Sequence, residues 1–539
     1  MVKNHERLFL FLILLLALIL RLVDIDFLLP YFEYGADERL FVEHALQILK
    51  TGDWNPHLFI YGSFPFYLTA FIYLIYLGVQ SLFNPENFAG LLQQASFSSG
   101  NFTFLYLGRL SSVAFGLGTI WISYRIAKKI WNRETGYLAA LLLALNPFHI
   151  FMSQYFRVDA PLLFWILAAF YFSLRVFQDG KTADYLLAGF FSGLAISTKY
   201  AFPVFLPLLA AHILKPRAHG SLRQVLLDWK IYLSSYVMVL TFLVTSPYAF
   251  LDFPTFIGHI GSLMSFYEQN TIFFRLNPAN IFYQRYIYQL IILLPLILGI
   301  PTYILAFPGT WTLIKSTPRS GILLLVFPFT YFLISSSASS MVNFQYLIPT
   351  LPFAVFAASY LTTALMSHPK SLDRKLGWTF LLVLLLYPAT NLVIPQVKTL
   401  FSTYEQAGEW IESNLPKNTR TAIYFWIIRP SDRLYSPEWK IFPYANDLNL
   451  DRVLSQDPEA IVLTYSTIFS DPRWREEFGG YLNLYQYLES GGSGNFQKIK
   501  EFRPPRIWSG IAGRVYPEFK DFRISIFRRT GPGKIPLSP

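Results

Sequence analysis

The chain has 539 residues, 53% of them hydrophobic and only 14% charged, with a mean hydropathy of +0.38. Soluble domains carry about 25% charged residues, so an ordinary soluble enzyme is excluded and a polytopic α-helical membrane protein is expected. The net charge of +11 sits in short loops between apolar runs, which argues against nucleic acid, and zero cysteines remove disulfides, thiolate metal sites and Cys nucleophiles.

The first apolar run, near 7–29, is longer than a signal-peptide core and no small-residue cleavage site follows it, so it reads as a retained first helix. Directly after it comes "YFEYGADERLFVEHALQILK" (31–50), with four acids: Glu33, Asp37, Glu38 and Glu43. From Asp37 to Lys50 the apolar Leu40, Phe41, Ala45, Ile48 and Leu49 share one face at helical spacing, while Glu43, Gln47 and Lys50 face away. The spacing predicts a short helix lying on the membrane surface with Asp37 at its start. Asp37 there is an N-cap contributing about 1 kcal/mol, a rigidly held functional carboxylate, or both. Asp24 and Asp26 form a D-x-D at the end of the first helix, read as an interfacial pair of acids.

Further apolar runs fall near 64–83, 102–128, 136–152, 160–177, 185–199, 201–214, 230–250, 286–308, 319–337, 344–366 and 376–396. Basic clusters at 125–133, 175–181, 215–230, 315–319 and 370–375 alternate with weakly basic loops. Cytoplasmic loops are the basic ones, and all five share one side only if 64–83, with Pro65 and many aromatics, does not cross. The expectation is therefore about eleven transmembrane helices, a cytoplasmic N-terminus and an extracytoplasmic C-terminal domain. The outer side then carries the loop 30–101, the turns 155–161 and 197–202, the loop 251–283 and the segment 337–345.

In "QYFRVDAPLLFW" (154–165), Arg157 and Asp159 precede an apolar helix. They make an interfacial ion pair with a helix cap, or an anion-binding Arg beside a second carboxylate. Lys199 lies between two short apolar segments, where it snorkels or faces a cavity. His57, His149 and His259 lie in or near outer segments, and no H-E-x-x-H or Gly-rich phosphate loop is present. A divalent cation (Mg, Mn or Zn) is the one cofactor candidate, with Glu38 and His259 or Glu268 as its ligands by residue type.

After residue 397 the character changes: the last 143 residues hold 35 of the 77 Lys, Arg, Asp and Glu. Ala407, Trp410, Ile411 and Leu415 predict an amphipathic helix stopped by Pro416, and "TAIYFW" (421–426) and "EAIVLTY" (459–465) predict strands. The expected organisation is a transmembrane domain over 1–399, including the loop 30–101, and a soluble α/β domain over 400–539.

The ordered set "ADERLFVEHALQILKTGDWNP", "GRLSSVAFGLGTIWISYRIAKKIW", "FRVDAPLLFWILAAFYFSLR" and "GLAISTKYAFPVFLP" resembles the dolichyl-phosphate-mannose-protein mannosyltransferase-like group, glycosyltransferase family 39 and its bacterial relatives. The resemblance covers roughly residues 5–400. It implies the GT-C fold and transfer of a sugar from a polyprenyl-phosphate donor to a glycan, lipid or protein acceptor. It implies a catalytic base at Asp37 with Glu38 beside it, a second catalytic carboxylate at Asp159, and donor contacts from Arg157 and Lys199. Many relatives carry Arg-Tyr before a Pro late in the membrane domain; here "NFQYLIP" (343–349) has Gln345 in place of Arg, leaving Tyr346 as the binding candidate.

General base catalysis suits such a reaction, because phosphate leaves without protonation and cations hold its charge. The alternatives are a transporter or flippase of lipid-linked sugars and an oligosaccharide ligase or polymerase. A transporter favours internal repeats and ionisable groups near the bilayer midplane, whereas these acids cluster at one surface.

Overall fold

A computed structural model of the chain describes residues 2–29, 31–84, 87–96, 102–216, 221–269, 286–338, 344–391, 402–424, 428–430, 439–441, 450–465, 475–491, 495–503 and 523–530. Its residues group into two compact units. One holds Met1–Ile25, Phe41–Ala95 and Leu107–Pro395, and the other holds Asp26–Leu40, Ser96–Tyr106 and Gln396–Pro539.

The first unit is helical. In chain order its elements are α1 (Val2–Leu22), most of α2 (Gly35–Thr51), α3 (Phe64–Phe83), α4 (Phe88–Gln94), α5 (Thr103–Ile130), α6 (Arg133–Leu145), α7 (Pro147–Gln154), α8 (Asp159–Gln178) and α9 (Thr182–Lys199). They continue as α10 (Leu206–Leu214), α11 (Leu222–Leu226), α12 (Trp229–Thr245), α13 (Tyr248–Leu251), α14 (Phe253–Gln269), α15 (Leu294–Leu298), α16 (Ile300–Ser316), α17 (Pro318–Ala338), α18 (Leu351–Met366) and α19 (Ser371–Asn391).

Among the described residues, six helical segments are long and apolar enough to cross a membrane, and up to eight if each of two bent pairs is one span. The chain is thus a multi-pass membrane protein by length and composition, and the expected count of eleven is not reached on those grounds. The helices α1, α9 and α19 are 18–21 residues long but bring charged residues with them, such as Arg21, Asp184 and Asp373. Phe64–Phe83 qualifies with the others, so neither its length nor its apolarity marks it as a non-crossing helix.

The helix α8 is largely buried in this unit, with Leu162, Leu163, Ile166, Leu167, Phe170 and Leu174 inside. Its neighbour α9 is rich in small residues and packs on both α8 and α12. At Gly193 an added Cβ would stand 2.6 Å from the Met238 carbonyl oxygen, so only glycine lets α9 and α12 approach this closely.

The second unit contains a five-stranded mixed sheet. Its strands are β2 (Thr421–Tyr424), β4 (Trp439–Ile441), β5 (Ala460–Tyr465), β6 (Phe496–Phe502) and β7 (Arg523–Arg529), in the order β4-β2-β5-β7-β6. The strand β2 runs parallel to β4 and β5, and β7 is antiparallel to β5 and β6. Tyr481, Leu484 and Leu488 of the helix Arg475–Glu489 are buried in a core with Ile461, Leu463 and Phe527. Large apolar side chains gain about 1.5–3 kcal/mol each from such burial, enough to hold this helix on the sheet. A separate pair, β1 (Phe32–Tyr34) with β3 (Ile428–Pro430), is antiparallel.

The C-terminal α/β region is therefore as the composition shift indicated. The predicted helix at 403–415 is Thr403–Asn414, capped by Ser402 accepting from Glu405 N at 3.2 Å, with Ala407, Ile411 and Leu415 buried. The predicted strands appear as β2 and β5, while 425–426 lie outside the described residues.

Candidate functional site

The helices α8 and α9 are antiparallel neighbours, which brings the first residue of α8 and the last residue of α9 to the same end of the bundle. Lys199 Nζ donates to Asp159 Oδ1 at 2.6 Å, and Arg157 Nε stands 3.8 Å from Asp159 Oδ2. Asp159 is 1% exposed, whereas Lys199 and Arg157 keep side-chain exposures of 16% and 19%. One carboxylate is thus flanked by two partly exposed cations. Asp159 Oδ2 is buried and accepts no hydrogen bond from the described residues. A carboxylate in the first turn of a helix is favoured by the helix dipole, and Asp159 gains this at α8.

Aromatic side chains complete the surroundings. Lys199 Nζ lies 5.0 Å from the centre of the Tyr346 ring, and Tyr331 of α17 lies within electrostatic reach of Asp159. Gln345 is buried beside Tyr346 in the chain. An apolar recess opens next to Arg157, lined by Phe41, Leu68, Phe115, Phe156 and Pro161 with the Ser111 and Ser112 hydroxyls. The Ser112 Oγ is buried without a hydrogen-bond partner among the described residues.

The end of α9 is locked locally. Tyr200 takes a left-handed conformation (φ 52°) as its C-cap and donates through its hydroxyl to the Phe59 and Tyr61 carbonyls at 3.1 and 3.0 Å. Gly62 lies against the Ser197 carbonyl, where an added Cβ would be only 1.8 Å from the oxygen. Ser246 Oγ then joins Ser63 N (3.0 Å) and Ser197 Oγ (2.5 Å). The segment 59–63, α9 and the end of α12 are thereby stapled together behind Lys199.

The helix predicted from Asp37 is Gly35–Thr51, with Asp37 and Glu38 in its first turn. Asp37 is therefore inside the helix rather than the residue before it. Phe41, Ala45 and Ile48 are buried and Glu43, Gln47 and Lys50 exposed, as the spacing required. Glu38 is 1% exposed and Asp37 half-buried. These two acids belong to the second unit, whereas Arg157, Asp159, Lys199 and Tyr346 belong to the first.

Among the described residues no three His, Cys, Asp or Glu side chains form a group suited to a metal ion. His259 Nδ1 accepts from Phe59 N at 3.3 Å, leaving one ring nitrogen for a ligand. His57 pairs with Asp53 (2.8 Å), whose carboxyl this hydrogen bond holds below its ordinary range. The side chain of Glu268 and residues 270–283 lie outside the described set.

The composition did not single out Arg21. Its guanidinium is fully buried, donating to the Ala17, Leu143 and Ala144 carbonyls at 3.0–3.3 Å and meeting His149 Nδ1 at 2.6 Å. It satisfies carbonyls at the C-terminal end of α6, where α6 and α7 meet at a 61° bend. His149 is thus part of a structural brace. The one signal in the sequence was a lone Arg inside an otherwise apolar run.

The fold and site together define a multi-pass helical membrane protein with a buried carboxylate and two cations closing one end of neighbouring helices. Residues 105–249, which include Arg157, Asp159 and Lys199, match the profile of the dolichyl-phosphate-mannose-protein mannosyltransferase family. A dolichyl-phosphooligosaccharide-protein glycotransferase 2 of Pyrococcus furiosus is 29% identical over 201 residues, covering 35% of this chain. The matched stretch spans only 25% of that relative's length.

Among solved structures, the Archaeoglobus fulgidus oligosaccharyltransferase AglB, in complex with an inhibitory peptide and a dolichol-phosphate, superposes with a TM-score of 0.52 at 12% identity. The match covers 98% of this chain and 88% of that one. ArnT from Cupriavidus metallidurans, bound to undecaprenyl phosphate, gives 0.46 at 15% identity over 97% and 98% of the two chains. The resemblance drawn from the motif order is shown by sequence over 105–249, and the AglB match shows a shared fold.

Proposed function

We propose that the chain is an integral-membrane glycosyltransferase that moves a sugar from a polyprenyl-phosphate-linked donor to a hydroxyl-bearing glycan, lipid or protein on the extracytoplasmic side. The observation that carries this reading is the Arg157–Asp159–Lys199 cluster, two partly exposed cations on one buried carboxylate beside an apolar recess. A phosphate with a lipid tail needs that combination of accessible cations and adjoining apolar surface. The match of this stretch to the mannosyltransferase family supports it, and the AglB neighbour of the same fold holds a dolichol phosphate.

In this reading Arg157 clamps two phosphate oxygens through its planar fork and Lys199 adds a point charge. Asp159 holds both cations in place and is the second catalytic carboxylate. Asp37 takes the proton of the acceptor hydroxyl as its oxygen bonds to the sugar's anomeric carbon and the sugar–phosphate bond breaks, and the phosphate leaves as an anion without needing a proton. Glu38 and Tyr346 contact the donor. Glu38 and His259 are the proposed ligands of a divalent cation. The described residues do not assemble a full ligand set, and no step here is routed through a metal. Restoration of transfer by Mg, Mn or Zn after chelation tests the cation.

Whole-glycan transfer is the second reading, favoured by the Pyrococcus relative, whose name specifies a phosphooligosaccharide. Incubating the purified protein with polyprenyl-phosphate monosaccharides and with lipid-linked oligosaccharides, and following product by mass spectrometry, separates the two. Movement of donor across the bilayer without any transfer would instead mark a flippase.

A further inference from the structure

The stretch that carries Asp37 and Glu38 packs with the C-terminal domain. Phe32, Glu33 and Tyr34 are in antiparallel register with Pro430, Arg429 and Ile428. Four residues before that strand, Leu28 N donates to Glu405 Oε1 at 2.6 Å. Glu405 sits in the first turn of the helix Thr403–Asn414.

Leu28 is fully buried and holds φ at 69°. A bulky residue in the left-handed region is strained and persists only where its surroundings over-determine it. A short hydrogen bond from its N–H to a carboxylate is one such determinant, because charge-assisted bonds are about twice as strong as neutral ones. Helix α2 then begins at Gly35, immediately after Tyr34, so no spacer separates the paired strand from the helix that carries Asp37.

We infer that the C-terminal domain holds the acid-bearing loop in its working position, and that Glu405 is a positioning residue acting through Leu28 and the β1–β3 pair. The domain is then a working part of the transferase and not an appendage, which rests on the reading of Asp37 as general base. Two contacts about 400 residues apart in the chain, one side chain to backbone and one strand to strand, fix the same short segment. A carboxylate that must meet a hydroxyl in hydrogen-bond reach tolerates little displacement, since a 1 Å misplacement costs about 10²-fold.

The test uses the full chain, whose natural lack of cysteine gives a clean background. Directly opposed residues of an antiparallel pair stand about 4.5–5.5 Å apart at Cα, inside the range of about 4.4–6.8 Å for a disulfide. Glu33→Cys with Arg429→Cys should cross-link under mild oxidation in membranes, seen as a mobility shift on non-reducing gels, and the cross-linked protein should keep wild-type turnover. Glu405→Ala should lower kcat by about 10²-fold with donor KM unchanged, and Glu405→Gln, which keeps the acceptor oxygen, should restore most of it.

Absence of the cross-link, or wild-type turnover in Glu405→Ala, overturns the inference. If Asp37→Asn turns over normally, the general-base reading fails. The cross-link and the Glu405 series still decide whether the domain positions the loop for transfer.

Discussion

Lys199 Nζ lies 2.6 Å from Asp159 Oδ1, joining the last residue of one helix to the first residue of its antiparallel neighbour. Asp159 is almost wholly buried while Lys199 is not. The carboxylate thus depends on the ammonium for compensation, and the ammonium remains accessible to a second anion. Losing one partner of such a buried pair costs about 3–5 kcal/mol, because an unpaired charge is left behind. With Arg157 still beside Asp159, Lys199→Met should destabilise the protein by about 3 kcal/mol, the low end of that range, and Lys199→Met with Asp159→Leu should recover much of that loss. Thermal unfolding of the four members of this cycle in detergent checks it; additive losses would show that the two side chains do not interact.

Arg157 contributes differently. Its guanidinium is 3.8 Å from the shared carboxylate and faces the apolar recess. Arg157→Lys keeps the charge but loses the bidentate fork, so donor KM should rise while kcat changes less. Arg157→Ala should raise it further. Unchanged donor kinetics in Arg157→Ala would remove this residue from the site.

Asp37 lies in the first turn of α2, where the helix dipole favours its negative charge by only about 0.3–1 kcal/mol. Asp37→Asn keeps shape and removes the proton acceptor, so turnover should fall by about 10²–10⁴-fold with little loss of stability. Glu43→Gln, exposed on the same helix, should leave turnover unchanged. Near wild-type turnover in Asp37→Asn would move the search for the base to Asp159.

The alternation of basic loops predicts that the first outer loop and the C-terminal domain share the extracytoplasmic side. Ser96→Cys and Ser493→Cys, made singly in this cysteine-free chain, should both react with an impermeant thiol reagent on intact cells. Labelling of Ser96→Cys only after lysis would mean that Phe64–Phe83 crosses the membrane, as its length permits.

Local periodicity was legible wherever one face is buried. Phe41, Ala45 and Ile48 in α2, and Ala407, Ile411 and Leu415 in the C-terminal domain, lie on the buried faces their spacing demanded. Parallel β2 and β5 were legible as short β-branched runs. The pairing of Phe32–Tyr34 with Ile428–Pro430 was not, because three-residue strands carry almost no alternation and their partners are remote in the chain. The Arg21–His149 contact was hidden for a related reason: nothing near either residue announces a partner 128 positions away. Arg157, Asp159 and Lys199 stood out as charges at the ends of apolar runs, but their convergence depends on the antiparallel packing of α8 and α9.

Binding of the lipid phosphate itself tests the central claim most directly. Purified wild-type protein and the Arg157→Ala, Lys199→Ala and Asp37→Asn variants should be titrated with a polyprenyl phosphate in lipid nanodiscs, with bound lipid read by native mass spectrometry. Wild type and Asp37→Asn should bind alike, whereas Arg157→Ala and Lys199→Ala should each lose binding by at least about tenfold, roughly 1.4 kcal/mol. Equal binding by all four proteins would contradict a phosphate site at this cluster.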